Sequence, residues 1–176
     1  LINIQKDLTN IGYSSKIYLN SSGPCLEVFS RMIPRLFNKW GMPVGKKTIQ
    51  ETKIPDFIIN GKRELKKEFL RGLFGADGSA PEIRRYTAYN ITYTIIKHEK
   101  LLWNAKQFLD AIRNMLYDFG IEASERYYKF ASTNGLGLRL LIYGEENIIK
   151  FIRKIGYAYD KFKITRANQA LLFLVT

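Results

Sequence analysis

The chain has 176 residues, 46% of them hydrophobic and 14% aromatic, with 28 Lys+Arg against 16 Asp+Glu for a net charge of +12. That length fits one domain with a real core or two small similar halves, and the apolar content excludes a disordered chain. No apolar run is long enough to span a bilayer, no signal-peptide pattern opens the chain, and the single Cys25 excludes an internal disulfide framework. A soluble protein of a reducing, intracellular compartment is expected. The positive charge is spread along the chain and interleaved with tyrosines rather than gathered in one cluster. Such a distribution favours nucleic acid over a membrane surface, because each phosphate neutralised releases condensed counterions.

In chain order, residue 1 already lies in a helix that precedes Gly12, and strands follow over residues 13–19 and 26–29. A helix over 31–40 ends at Gly41, and a second runs over 64–75. A strand rich in β-branched and aromatic residues is predicted over 86–96. Residues 100–119 place Leu101, Ala105, Phe108, Ile112, Met115 and Phe119 on one helical stripe, closed by Gly120. Strands over 126–130 and 138–143 come next, then a helix over 145–155 with Ile148, Ile152 and Ile155 on one side and Gly156 at its end.

The order of these elements repeats. "TNIGYSSKIYLN" (9–20) is echoed by "YDFGIEASERYYK" (117–129), each a helix end, a glycine and a strand. A second strand and a helix follow in both places, and alignment on Gly41 and Gly156 puts Lys46 on Lys161. This is a diverged duplication. Residues 1–62 read as the C-terminal part of a first, truncated repeat, and 63–176 as a complete second one.

The stretch "FLRGLFGADGSA" (69–80) holds the chemistry. Gly72, Gly75 and Ala76 leave one helix face nearly bare, although each interior glycine costs about 0.5–1 kcal/mol relative to alanine. A bare face suits close approach of another helix. Asp77 then stands at the negative end of the helix dipole, where a carboxylate is disfavoured without a cation nearby. A second such helix would bring its own terminal Asp alongside, and a divalent metal relieves the repulsion of two neighbouring carboxylates. Taken alone, "ADGS" is an ordinary helix end followed by an Asp-Gly turn.

Its surroundings say more. The run from Leu70 to Gly78 resembles the signature helix of the LAGLIDADG family, the homing endonucleases and the endonuclease domains of inteins. "IPDFIINGKRELKKEFLRGLFGADGS" is similar to the approach to the second motif in two-motif members. "GIEASERYY", "LRLLIYGEENIIKFIRKIGY" and "VGKK" match in order, so the resemblance spans nearly the whole chain. Gly75 departs from it, since many members carry an acid there.

The resemblance implies an α+β fold of αββαββα repeats. Signature helices (here 64–78) would pack at a pseudo-two-fold axis, and curved antiparallel sheets would form a saddle over double-stranded DNA. It implies a sequence-specific DNA endonuclease using Mg²⁺ or Mn²⁺, in a prokaryotic or organellar setting. Asp77 and the Ala76 carbonyl would be metal ligands, with Lys46 and Lys161, or the rival Lys163, as basic catalytic residues. Gly72, Gly75 and Ala76 would form the helix-packing interface. DNA contacts would come from Lys16, Tyr18, Arg84, Arg85, Tyr86, Asn90, Thr92, Arg126, Tyr128 and Arg139. Arginine and asparagine can pair with base edges, while lysine and tyrosine more often hold phosphates.

The family's site needs two signature helices, and this sequence shows one. The partner helix would come from a segment upstream or from a second chain. A catalytically inactive DNA- or RNA-binding module of the same fold, maturase-like, is the alternative. Other chemistries fall away. "GMPVGKKT" (41–48) has only three residues between its glycines and Lys47 where a P-loop needs Ser or Thr. One histidine, His98, and one cysteine supply neither a zinc site nor a Ser-His-Asp triad. Neither end of the chain carries splicing residues, so an intein origin would make this the endonuclease part.

Overall fold

A computed structural model describes residues 1–21, 23–84, 87–88, 90–129 and 135–175, with the backbone alone at 84, 87, 88, 128, 129 and 135. Packing divides the chain into two compact units, Leu1–Trp40 and Gly41–Thr176. Among the described residues no helix is long and apolar enough to cross a membrane.

The first unit holds helix α1 (Ile2–Asn10), the antiparallel hairpin β1 (Ser15–Asn20) and β2 (Gly23–Val28), and helix α2 (Met32–Lys39). Its register pairs Lys16 with Glu27 and Tyr18 with Cys25. Neither helix buries a residue. Met32, Leu36 and Phe37 of α2 remain exposed, and Phe37 meets Trp40 at 5.9 Å between ring centroids.

The second unit has a true core. It comprises α3 (Asp56–Ile59), α4 (Arg63–Asp77), the short pair β3 (Ile83–Arg84) and β4 (Thr87–Ala88), β5 (Ile91–His98), α5 (Leu102–Tyr117), β6 (Ser124–Lys129), β7 (Gly135–Ile142), α6 (Glu145–Lys154) and α7 (Lys161–Val175). Strands β5, β7 and β6 form one antiparallel sheet in that order. The α+β class with antiparallel sheets is present, and from α4 to α6 the elements run αβββαββα, one short strand more than the expected αββαββα. The single strand expected over 86–96 is divided into β4 and β5, and α3 and α7 come in addition.

The alternation of β5 explains the layering. Ile91, Tyr93 and Lys97 are buried on one face, while Thr92 and Thr94 are half-buried and His98 exposed on the other. Leu138, Leu140 and Ile142 of β7 complete the inner face. Against it lie the predicted stripe of α5, Leu70 and Phe74 of α4, and Ile148 and Phe151 of α6. A file of aromatic rings runs through this core: Tyr157 to Phe151 (5.5 Å), Phe151 to Phe74 (4.9 Å, edge-on), Phe74 to Tyr93 (5.9 Å) and Tyr93 to Phe108 (6.2 Å). Tilted and edge-on contacts of this kind add to area burial.

Two buried polar side chains fasten the segment that enters α3. Lys97, 1% exposed, donates from Nζ to Lys47 O (2.7 Å), Thr52 Oγ1 (2.6 Å) and Gln50 O. Burial pushes its pKa down, Glu51 opposes that shift and Lys47 adds to it. Asn104 of α5 accepts from Thr52 N (2.8 Å) through Oδ1 and donates to Thr52 O (3.2 Å). Residues 47–54 therefore pack with the second unit. Asn104→Ala would strand both backbone groups of Thr52, an expected loss of about 1–3 kcal/mol. Urea unfolding should show a lower midpoint at unchanged slope.

Candidate metal and DNA-binding site

Helix α4 follows Lys62, which has extended backbone, carries Glu64 in its first turn, and buries Leu70, Phe74 and Gly75. Its end is fixed sterically. Gly78 N donates to Phe74 O (3.1 Å), and a Cβ on Gly78 would stand 2.8 Å from both Phe74 Cα and Phe74 O. The chain then turns extended and bridges to β5 through Gly78 and Tyr93. Ser79 completes the junction: its N donates to Thr92 O (2.8 Å), and its Oγ accepts from Thr92 N (2.9 Å) and Thr92 Oγ1 (3.0 Å).

The two glycines of α4 do different work. A Cβ on Gly72 would meet nothing within 4 Å, and Ala76 and Asp77 beside it are exposed. Leu65, 39% exposed, continues that face. A Cβ on Gly75 would stand 2.3 Å from Ala158 O and 3.0 Å from Ala158 N. The expectation that Gly75 serves a helix–helix interface is thereby corrected. It gives room to the bend after α6, whose Ala158 N donates to Arg71 O (3.1 Å). Of the three small residues, Gly72 and Ala76 remain on the open face.

The cation at the C-terminal end of α4 is Lys163. Its Nζ donates to Phe74 O (3.3 Å), Gly75 O (2.7 Å) and Ala76 O (3.0 Å), and its side chain is 14% exposed. Asp160 lies 3.8 Å from the same Nζ, and its Oδ1 accepts from Lys163 N at the head of α7. Lys161, preferred from the repeat alignment, is exposed and makes no side-chain hydrogen bond or ion pair among the described residues. Two residues along a helix turn a side chain about 200°, so when α7 sets Lys163 against α4 it sets Lys161 elsewhere. Lys46 is exposed before a single 3₁₀ turn and likewise has no side-chain partner among the described residues.

The Asp77 carboxylate takes part in no hydrogen bond or ion pair among the described residues, and they contain no cluster of three His, Cys, Asp or Glu. One exposed, unpaired carboxylate fits half of a Mg²⁺ or Mn²⁺ site, since such ions keep waters and use one or two carboxylates plus phosphate oxygens. The Ala76 carbonyl, expected as the second ligand, already accepts from Lys163. Behind the carboxylate, Tyr93 is 6% exposed; burial first and the charge of Asp77 second push its phenol far above the ordinary value. Burial does the same to Tyr157, whose hydroxyl donates to Ser79 O (2.8 Å).

The outer face of the three-stranded sheet carries the basic residues. Register places Thr94, Arg139 and Arg126 in one row, and Arg139 Nε donates to Thr94 Oγ1 (3.0 Å). Arg126 is exposed, as are Asn90 just before β5 and, in the first unit, Lys16 and Tyr18 of β1. Thr92 shares the outer face, but its hydroxyl is committed to Ser79, which gives it an internal role that the sequence did not suggest. Arg84 pairs with Thr87 and Tyr128 with Gly137 through the backbone, while Arg85 and Tyr86 lie outside the described residues.

The family description "LAGLIDADG-like domain" matches residues 64–156, more than half of the chain, from the first turn of α4 to the glycine after α6. The chain belongs to the LAGLIDADG-like family. It is 39% identical over 149 residues to the tRNA-splicing ligase RtcB of Methanopyrus kandleri, covering 85% of this chain and 15% of that protein. With the replication factor C small subunit of Methanocaldococcus jannaschii it shares 35% identity over 161 residues, 88% of this chain and 8% of that one. The LAGLIDADG-like chain thus spans less than a fifth of either relative. Among solved structures, the homing endonuclease I-DmoI in complex with DNA and Ca superposes with a TM-score of 0.55 at 15% identity, covering 93% of this chain and 71% of that one. At that identity the likeness is one of fold.

Two measurements separate the roles read here. Gly72→Ala should fold with unchanged or slightly raised stability, whereas Gly75→Ala should lose about 1–3 kcal/mol through overpacking against Ala158. Thermal unfolding of both variants checks this. Tyr93 and Tyr157 stay protonated in the folded chain when the unfolded chain ionises, so stability holds below about pH 10 and falls above it. Tyr157→Phe should flatten that alkaline fall in urea midpoints taken between about pH 9 and about pH 11.

Proposed function

We propose that this chain is the larger part of a sequence-specific, divalent-metal-dependent DNA endonuclease. The observation that carries this reading is the Asp77 carboxylate, exposed and, among the described residues, unpaired at the end of α4 beside the open Gly72–Ala76 face. Asp77 would hold Mg²⁺ or Mn²⁺ as one half of the ligand set, with the Ala76 carbonyl as its other local donor. Bound there, the ion would stabilise charge on the attacking and leaving oxygens of a phosphodiester. Lys163 keeps a positive charge at the site and is the basic residue favoured for catalysis. Lys161 and Lys46, both exposed, are assigned to flanking phosphates. The charge of +12 and the basic outer sheet face support double-stranded DNA as substrate.

The second carboxylate would come from another signature helix. Aligned on Gly41 and Gly156, the residues Ile33, Leu36, Phe37 and Trp40 fall on Ile148, Phe151, Ile152 and Ile155. In the second unit Ile148 and Phe151 are fully buried, Phe151 against Phe74 of α4. Of their counterparts on α2, Leu36 is 39% exposed and Ile33 half-buried, and Phe37, aligned with Ile152, is 42% exposed. A helix like α4, from an upstream segment or a second copy of the chain, would cover them and bring the second acid.

The two relatives perform different tasks, yet each contains a match to nearly all of this chain within a small fraction of its own length. That distribution supports an inserted element, an intein endonuclease region, rather than a part of either host activity. A second reading, a DNA- or RNA-binding module without cleavage, draws support from the engagement of the Ala76 carbonyl by Lys163.

Incubation with a plasmid library and Mg²⁺ or Mn²⁺ tests the two. A discrete double-strand break is expected, lowered about a hundredfold or more in Asp77→Asn. Salt-dependent binding without cleavage under either metal would establish the binding module instead. Lys163→Met should lose both cleavage and about 1–2 kcal/mol of stability, because it uncaps the end of α4.

A further inference from the structure

A cavity of about 370 Å³ lies between α4 and α7. Helix α4 contributes Lys67 and Arg71, α7 contributes Ile164 and Asn168, and the end of α6 contributes Ile152 and Ile155. Lys163 meets the last turn of α4, and Asn168 follows about a turn and a half later, so the two helices run antiparallel along the groove. Lys67 and Arg71 stand about 9 to 15 Å before Asp77 along the helix axis, and roughly 100 to 140° around it from Gly72. The groove is therefore separate from both the metal site and the open face.

Its two walls differ in chemistry. Lys67 is half-buried and has no hydrogen bond or ion pair among the described residues. Arg71, also half-buried, gives one terminal nitrogen to Glu68 Oε2 (3.3 Å). No acid is among the residues that line the cavity, and like charges four apart on one helix face repel. The opposite wall is aliphatic: Ile164 is 36% exposed and Ile152 half-buried. Beside them the Asn168 amide is exposed and has no partner among the described residues.

This lining selects its occupant. Tyr157, the one ring in it, is 3% exposed and its hydroxyl is bonded to Ser79 O, so a nucleic-acid base finds no surface to stack on. A phosphate would match the cations and leave Ile152 and Ile164 uncovered. A small organic anion would keep much of its surface in water at this open wall, where small-molecule sites bury most of theirs. A peptide lying along the groove satisfies both walls, with an acid toward α4 and an aliphatic side chain toward α7.

We infer that the groove docks a segment of a partner protein that carries aspartate or glutamate beside an aliphatic residue. Its carboxylate bridges Lys67 and Arg71, and its aliphatic group covers Ile152 and Ile164. Such docking holds whether or not the chain cleaves DNA. The test is selection of a phage-displayed random peptide library on the purified chain, followed by titration with synthetic copies of the enriched peptides. Peptides with an acid beside Leu, Ile or Val should be enriched. They should shift the methyl resonances of Ile152 and Ile164 and leave those of the core residues Ile91 and Ile142 in place. Lys67→Glu should weaken binding about tenfold or more, yet melt at or above the wild-type temperature, because a glutamate there can pair with Arg71. Ile164→Ser should weaken it about three- to tenfold. Replacing the peptide's acid by glutamine should weaken binding to wild type about tenfold and have little further effect on Lys67→Glu. A library that yields no such peptide would overturn the docking site. So would undiminished binding to Lys67→Glu, or a DNA duplex that moves the Ile152 and Ile164 methyls where the peptides do not.

Discussion

Everything at the candidate site depends on how closely residues 157–163 approach the last turn of α4. Four contacts make the approach: Gly75 against Ala158, Ala158 N to Arg71 O, Tyr157 Oη to Ser79 O, and Lys163 Nζ to three terminal carbonyls. Carbonyls at a helix C-terminus need donors, and a buried end without them would be costly. Lys163 supplies three at once and places positive charge where the helix dipole is negative. Among the described residues the Asp77 carboxylate beside this closure has no hydrogen-bond or ion-pair partner. A carboxylate kept unpaired at a neutralised helix end is what a shared metal site requires.

The sheet is organised by the opposite constraint. Its inner face is satisfied within the chain, from the aromatic file to the Lys97 and Asn104 bonds that hold residues 47–54. Its outer face concentrates like charge in one row. The first turn beyond α4 joins the two requirements, because Ser79 takes its hydrogen bonds from Thr92 on the outer face while Gly78 bridges Tyr93 on the inner one. The outer face of the sheet is thus tied to the helix end that carries Asp77.

Much of this was legible in the sequence. The stripe of α5, the glycine after α6 and the small residues of α4 all have local signatures, and the order of elements carried the family. What escaped notice depended on distance or on weak signals. The partner of Gly75 lies 83 positions away, so a bare helix face could be read but not apportioned between an internal and an external neighbour. Helix α7 buries Ala167 and Ala170, whose small side chains leave almost no hydrophobic period to detect. Lys163 lost to Lys161 because the duplication aligns the latter with Lys46, whereas Lys163 falls on Thr48. The helix phase of α7, which the alignment does not encode, decides the contact. Thr92 was read by face alone, and alternation cannot show that a hydroxyl is already engaged.

The Gly75–Ala158 contact bears on how such a protein can be recombined. Backbone meets backbone there, so neither side can adjust by changing a side-chain rotamer. A signature helix taken from another member with an acid at this position would drive that acid into Ala158 unless residues 157–163 travelled with it. The smallest exchangeable block therefore contains α4 together with the start of α7, two pieces far apart in the chain. Crossovers that keep both from one parent should yield folded hybrids, and crossovers between them should be selected against wherever such genes are shuffled.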